Sequence, residues 1–179
     1  MPSRRRLLII FAGVAIVFAA LLAAVMRLSQ PAQVDAPPSV ATENFFASKF
    51  TDAQGMPQAV AQWQGQVIIV NFWATWCPPC REEMPELSAL QNKYRARGVV
   101  VLGISTDDAV KTQQFAGENP VSYPLLAADF DVLNLAEALG NDRDVLPYTL
   151  VLRRDGSVAT SYFGRIDLQQ LESALTPLL

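Results

Sequence analysis

The chain has 179 residues, 51% of them apolar and 17% charged, with a formal net charge of −3, enough for one modest globular domain and an appendage. It contains no histidine and only two cysteines, Cys77 and Cys80, which excludes a Ser-His-Asp triad, a Cys-His dyad, an HExxH site and a four-ligand zinc knuckle. Without Met1–Arg27 the remainder holds 10 Lys+Arg against 17 Asp+Glu, a net of −7, and an acidic domain with no basic stripe is a poor candidate for nucleic-acid binding.

In chain order, the first feature is Leu7–Met26, a run of 20 residues with no charged or polar side chain, preceded by Arg4, Arg5 and Arg6 and followed by Arg27. At ~1.5 Å rise per residue it reaches ~30 Å, the hydrocarbon thickness of a bilayer. A cleaved signal peptide has a shorter apolar core and an A-x-A-like site, and no clean A-x-A lies between Leu21 and Ala36. Residues 1–28 therefore read as an uncleaved transmembrane signal anchor. The arginines keep the N-terminus in the cytoplasm and place the rest of the chain outside, where in bacteria disulfides persist. Residues 29–44, which hold Pro31, Pro37 and Pro38, read as an extended linker, and residues 45–179 as the folded domain.

Within that domain, alternating fragments around Thr51-Asp52-Ala53-Gln54-Gly55 predict a hairpin or loose strand pair. Val67–Ala74 (VIIVNFWA) predicts a strand buried on both faces. A helix opens at Pro78 or Pro79, carries Met84, Leu87, Leu90 and Tyr94 on one face, and ends before Gly98. Val99–Ser105 is a second buried strand, and Thr106-Asp107-Asp108 offers the N-cap of a helix to about Glu118. Tyr123–Ala127 reads as a short strand, and Val132–Leu139 as a helix stopped by Gly140. Thr149–Leu152 and Ser157–Phe163 flank Asp155-Gly156, a hairpin turn. Asp167 caps a final helix with Leu168, Leu171, Leu175 and Leu178 on one side. This order implies an α/β fold: a mixed sheet with helices on both faces.

Trp76-Cys77-Pro78-Pro79-Cys80 sits between the first buried strand and the helix that follows it. Residues i and i+3 in a first helical turn bring their Cα atoms to ~5–6 Å, a distance a disulfide can bridge. The first sulfur lies where free N–H groups and the helix dipole stabilise an anion, which lowers a thiol pKa. Cys77 is thus the expected attacking nucleophile and Cys80 the resolving thiol. A disulfide closing so short a loop constrains the unfolded chain little, so a redox role outweighs a purely structural one.

The segment NFWATWCPPCREEMPEL resembles the active-site stretch of thioredoxin-like proteins, and more closely that of the TlpA/ResA group of membrane-anchored thiol–disulfide oxidoreductases; the resemblance runs from about Phe45 to Leu179. It implies a thioredoxin-like fold with an N-terminal hairpin extension and a helix–strand insertion, and disulfide exchange with client proteins. No cofactor is expected, and no metal, since the chain offers only two thiols and no histidine. The resemblance also implies a transmembrane thiol donor of the DsbD/CcdA type at a bacterial inner membrane, while the client stays open among apocytochrome c, oxidase-assembly factors and misoxidised proteins in general. Glu83 lies three residues after Cys80 on nearly the same helical face; by itself it reads as a first-turn acid that favours the helix dipole, whereas the family pattern, which carries an acid at this spacing, implies a partly buried carboxylate that trades protons with Cys80. Asn71 stands where ordinary thioredoxins carry a buried Asp. Leu146-Pro147 occupies the place of the family's cis proline facing the disulfide, and the Leu146 backbone is expected to pair with an extended client. Trp76, packing beside Cys77, completes the expected client-contact set of Trp76, Leu146 and Pro147.

Two other readings share parts of this pattern. A peroxiredoxin-type thiol peroxidase places Thr three residues before its cysteine in P-x-x-x-T-x-x-C, where this chain has Ala74. A non-catalytic module could hold a soft metal or a partner on two thiols, but no Met or His cluster lies near them.

Overall fold

The computed structural model of the chain describes residues 39–128 and 132–179. The anchor expected over 1–28 and residues 29–38 of the expected linker lie outside the described residues, among which no helix is long and apolar enough to cross a membrane.

The fold is built on β3 (Val67–Trp73) and β4 (Val99–Ser105), every residue of which is buried. They pair in parallel, Val67 against Val99 through Trp73 against Ser105. Alternation sends Val67, Ile69, Asn71 and Trp73 to one face of the sheet and Ile68, Val70 and Phe72 to the other. On the first face lies α2 (Pro78–Tyr94), which buries Met84, Leu87, Leu90 and Tyr94. On the second face lie α1 (Val40–Ala47), through Phe45 and Phe46, and α4 (Val132–Ala138), through Val132 and Ala136. α3 (Ala109–Glu118) and α5 (Leu168–Leu175) add Phe115, Leu171 and Leu175 to the α2 face.

Seven strands run in the order β2-β1-β5-β4-β3-β6-β7, with β1 at Lys49–Asp52, β2 at Pro57–Ala59, β5 at Leu125–Ala127, β6 at Tyr148–Leu152 and β7 at Val158–Phe163. The β3-β4-β5 pairings are parallel and the others antiparallel. The β1–β2 hairpin is the N-terminal extension. Its turn is held by Asp52, whose Oδ1 accepts the N–H groups of Gln54 and Met56 at 2.9 and 2.8 Å. α3 and β5 form the helix–strand insertion, and β5 joins β4 to the hairpin.

One expectation changes. The linker was placed over 29–44 and the domain from 45, yet helix α1 starts at Val40. Ser39 is its N-cap: the Ser39 Oγ accepts the Thr42 N–H, and the Thr42 hydroxyl returns a bond to the Ser39 carbonyl at 2.8 Å. Phe45 is fully buried, and the Phe46 ring covers Gly156 in the β6–β7 turn so closely that a Cβ there would lie 2.9 Å from a ring carbon. With φ of +86°, Gly156 satisfies both the turn and this contact.

Candidate active site

β3 delivers the chain to one end of the sheet, and the Ala74–Cys77 turn begins there, closed by the Cys77 N–H donating to the Ala74 carbonyl at 3.1 Å. The middle of the turn is pinned from the loop that follows β4: the Thr75 N–H donates to the buried Asp107 carboxylate at 2.6 Å. Asp107 had offered itself as a helix cap. Asp108 takes that role instead, accepting the Lys111 N–H, and its neighbour turns inward. Two adjacent aspartates carry no local signal of which one points where.

Cys77 is the N-cap of α2, and its Sγ accepts the Cys80 N–H at 3.3 Å. Pro78 and Pro79 fill the first helical positions, where a missing N–H costs nothing. Cys77 and Cys80 form a disulfide with Cα atoms 5.3 Å apart, within the range expected from their spacing. Cys80 is fully buried, whereas Cys77 keeps 3% of its surface exposed, so what access remains belongs to the first cysteine. Trp76 does not pack into the core; it is 65% exposed beside the disulfide.

Glu83 lies one turn further along α2 and is completely buried. Its Oε1 accepts the Asn71 side-chain N–H at 2.7 Å and its Oε2 accepts the Ile166 backbone N–H at 3.0 Å. Asn71 also donates to the Thr149 hydroxyl at 2.9 Å, because the β3–β6 register sets these two residues opposite each other. Burial lifts the Glu83 pKa from its ordinary 4.5 to about 7, against the pull of the Ile166 and Asn71 hydrogen bonds and of the Arg165 charge. Arg165 also pairs with Glu86 at 2.9 Å and lies 3.9 Å from Glu82. The Tyr123 phenol is held above its ordinary pKa by burial and by the nearby Glu83 charge.

The Leu146–Pro147 peptide bond is cis. Pro147 is buried immediately before β6, one step past the Phe72–Tyr148 pair, so it arrives at the sheet end from which the Ala74–Cys77 turn departs. Leu146 is half-buried and packs against both cores, one of which contains Cys77 and Cys80. Sequence spacing pointed to Cys77, Cys80 and Glu83, and the family resemblance to Pro147; neither revealed Thr149, the Ile166 N–H or Asp107. Those groups meet the site only through strand register and chain return.

The Redoxin family profile matches residues 35–175. The chain belongs to the Redoxin family. This Redoxin-family chain is 27% identical to the thiol-disulfide oxidoreductase ResA of Bacillus thuringiensis over 126 residues, 70% of either chain. It is 28% identical to the ResA of Halalkalibacterium halodurans over 122 residues, 68% of this chain and 67% of the relative. Among solved structures, a thiol:disulfide interchange protein of the thioredoxin family from Chlorobium tepidum superposes with a TM-score of 0.68 at 24% identity, covering 81% of this chain and 99% of that one. A secreted thiol-disulfide isomerase from Corynebacterium glutamicum superposes with a TM-score of 0.65 at 25% identity, covering 74% and 83%. The fold is thioredoxin-like.

Proposed function

We propose that this protein is an extracytoplasmic thiol–disulfide oxidoreductase that reduces disulfides in client proteins through the Cys77/Cys80 pair. The observation that carries the reading is a Cys-x-x-Cys disulfide at the mouth of α2 with a buried carboxylate, Glu83, one turn beyond it and poised at a pKa of about 7. In the reduced protein the Cys77 thiolate attacks one sulfur of the client disulfide, forming a mixed disulfide and releasing the other client sulfur as a thiolate. Cys80 passes its proton to Glu83 and attacks the Cys77 sulfur. The Cys77–Cys80 bond forms, the mixed disulfide breaks, and the second client sulfur leaves as a thiolate. Two electrons pass from the dithiol to the client, and the proton on Glu83 returns to a departing thiolate or to water. A base poised near the working pH is suited to this transfer. Trp76, Leu146 and Pro147 form the client-facing surface, with the free backbone of Leu146 pairing with an extended segment.

Pro78 and Pro79 fill the positions between the cysteines, and the chain has no histidine, so the Cys77 thiolate lacks the cationic stabilisation that makes strong oxidants. Glu82 and Glu83 further disfavour a second negative charge at this helix end. A less stabilised thiolate gives a more reducing couple, with a potential nearer ~−270 mV than ~−120 mV. Such a reductant outside the cytoplasm draws electrons from a transmembrane thiol donor of the DsbD/CcdA type, and the Leu7–Met26 segment tethers it to the inner membrane as a single-pass anchor. Cytochrome c and oxidase maturation are settings where such a reductant has clients. Equilibration of the full chain against glutathione buffers is expected to give a potential well below −180 mV; a value above roughly −180 mV overturns the reductant assignment. Recovery of a mature N-terminus between Leu21 and Ala36 overturns the tether.

A further inference from the structure

The loop between α4 and β6 carries the cis proline, and one buried side chain governs its path. Asn141 is 1% exposed. Its backbone N–H closes the end of α4 by donating to the Ala136 carbonyl at 2.9 Å, so its position is fixed to a helix packed in the core. Its side-chain amide then grips Val145 from both ends: the Asn141 Nδ2 donates to the Val145 carbonyl at 3.1 Å, and the Val145 N–H donates to the Asn141 Oδ1 at 3.3 Å. The two bonds admit a single orientation of the amide, because the backbone N–H must meet the oxygen and the carbonyl must meet the nitrogen. Between these anchors the chain turns through Asp144, a non-glycine residue at φ +51°, a conformation that persists only where the surroundings impose it.

The consequence falls on the next residue. In a planar trans peptide the carbonyl and the following N–H point in opposite directions. With the Val145 carbonyl directed at Asn141, the Leu146 N–H is directed away from it. Among the described residues neither the N–H nor the carbonyl of Leu146 has a hydrogen-bond partner in the chain, whereas the next carbonyl, that of Pro147, accepts the Gly164 N–H at 2.9 Å. Leu146 is thus the one unpaired backbone step between the braced Val145 and the sheet.

We propose that Asn141 is a positioning residue for client binding: by holding both backbone groups of Val145 it presets the Leu146 N–H to meet a carbonyl of an extended client segment beside the disulfide. The ligand class is polypeptide backbone flanking the client's cysteine, whatever its side chains. The proposal rests on the thiol–disulfide reading above. It separates two kinds of substrate: a disulfide embedded in a peptide uses the Leu146 backbone, and a small aromatic disulfide does not.

The test follows release of thionitrobenzoate by the reduced full chain from two substrates with the same leaving group. One is 5,5′-dithiobis(2-nitrobenzoate); the other is a ten-residue peptide whose single cysteine is joined to thionitrobenzoate. In Asn141→Ala, kcat/KM toward the peptide is expected to fall about fivefold or more, through KM, as a hydrogen bond is lost, while the rate with the small disulfide stays within about twofold. Asn141→Asp keeps the acceptor and the shape but sets a carboxylate against the Val145 carbonyl, and it should shift the peptide KM in the same direction. Equal losses on both substrates, or no loss on either, overturn the proposal. Failure of the wild-type protein to react with either disulfide overturns the thiol–disulfide reading itself, and the proposal with it.

Discussion

Glu83, the proton acceptor in the proposed exchange, also bears on the stability of this protein. Both of its oxygens face donors, the Asn71 amide and the Ile166 N–H, yet burial outweighs them and raises its pKa to about 7. A carboxyl whose folded pKa is raised binds more protons in the native state than in the unfolded chain between pH 4.5 and about 7, so stability falls as pH rises through that window. The group contributes fully below 4.5, and the contribution is lost above 7. The span corresponds to about 3 kcal/mol at 1.36 kcal/mol per unit. In Glu83→Gln one donor faces an amide N–H₂, so the oxidised variant is expected to be less stable than wild type in acid. The gap should narrow by about 3 kcal/mol as pH rises through the window, read from urea unfolding at a series of pH values. A constant gap would mean that Glu83 titrates in its ordinary range. The position of Glu83 was legible because helical spacing is local, three residues from Cys80. Thr149, the other partner of Asn71, lies 78 positions from it and the Ile166 N–H lies 83 positions from Glu83, and no periodicity carries that information.

At the scale of elements, spacing and turn residues served well where an element was long or sharply bounded. Val99–Ser105 was read at its true limits, and Asp167 and Gly98 mark helix ends as expected. Helix α1 escaped because it has eight residues, two adjacent phenylalanines in place of a spaced stripe, and a proline-rich stretch before it. What makes it a helix is tertiary: Phe45 and Phe46 find a core that the local sequence does not advertise. Phe45→Ala is therefore expected to cost about 3 to 5 kcal/mol in denaturant unfolding, a loss out of scale for a linker residue. A change below about 0.5 kcal/mol would place α1 outside the cooperative unit.

For the molecule as a whole, the sheet divides the interior into two apolar clusters, and β3, β4 and β6 contribute side chains to both. Amides of Ile68–Phe72 should exchange slowest with solvent, at rates set by global unfolding, while those of the half-exposed β1–β2 hairpin exchange through local opening; the reverse order, measured by native-state hydrogen exchange, would contradict this account of the core. The overall class, a mixed sheet with helices on both faces, was legible in the alternation of elements. The docking of β1 on β5 was not, because it joins segments some 75 positions apart, Thr51 with Ala127. The burial of Glu83 has one more consequence for a chain that contains no histidine. The residue type that ordinarily gives proteins their buffering capacity near neutrality is missing, and the buried Glu83 carboxyl, raised to about 7, takes its place. Opening the Cys77–Cys80 bond changes the charge beside that carboxyl, so reduction of the disulfide as a half-reaction shifts the proton occupancy of Glu83, and its heat includes a part that scales with the ionisation enthalpy of the surrounding buffer.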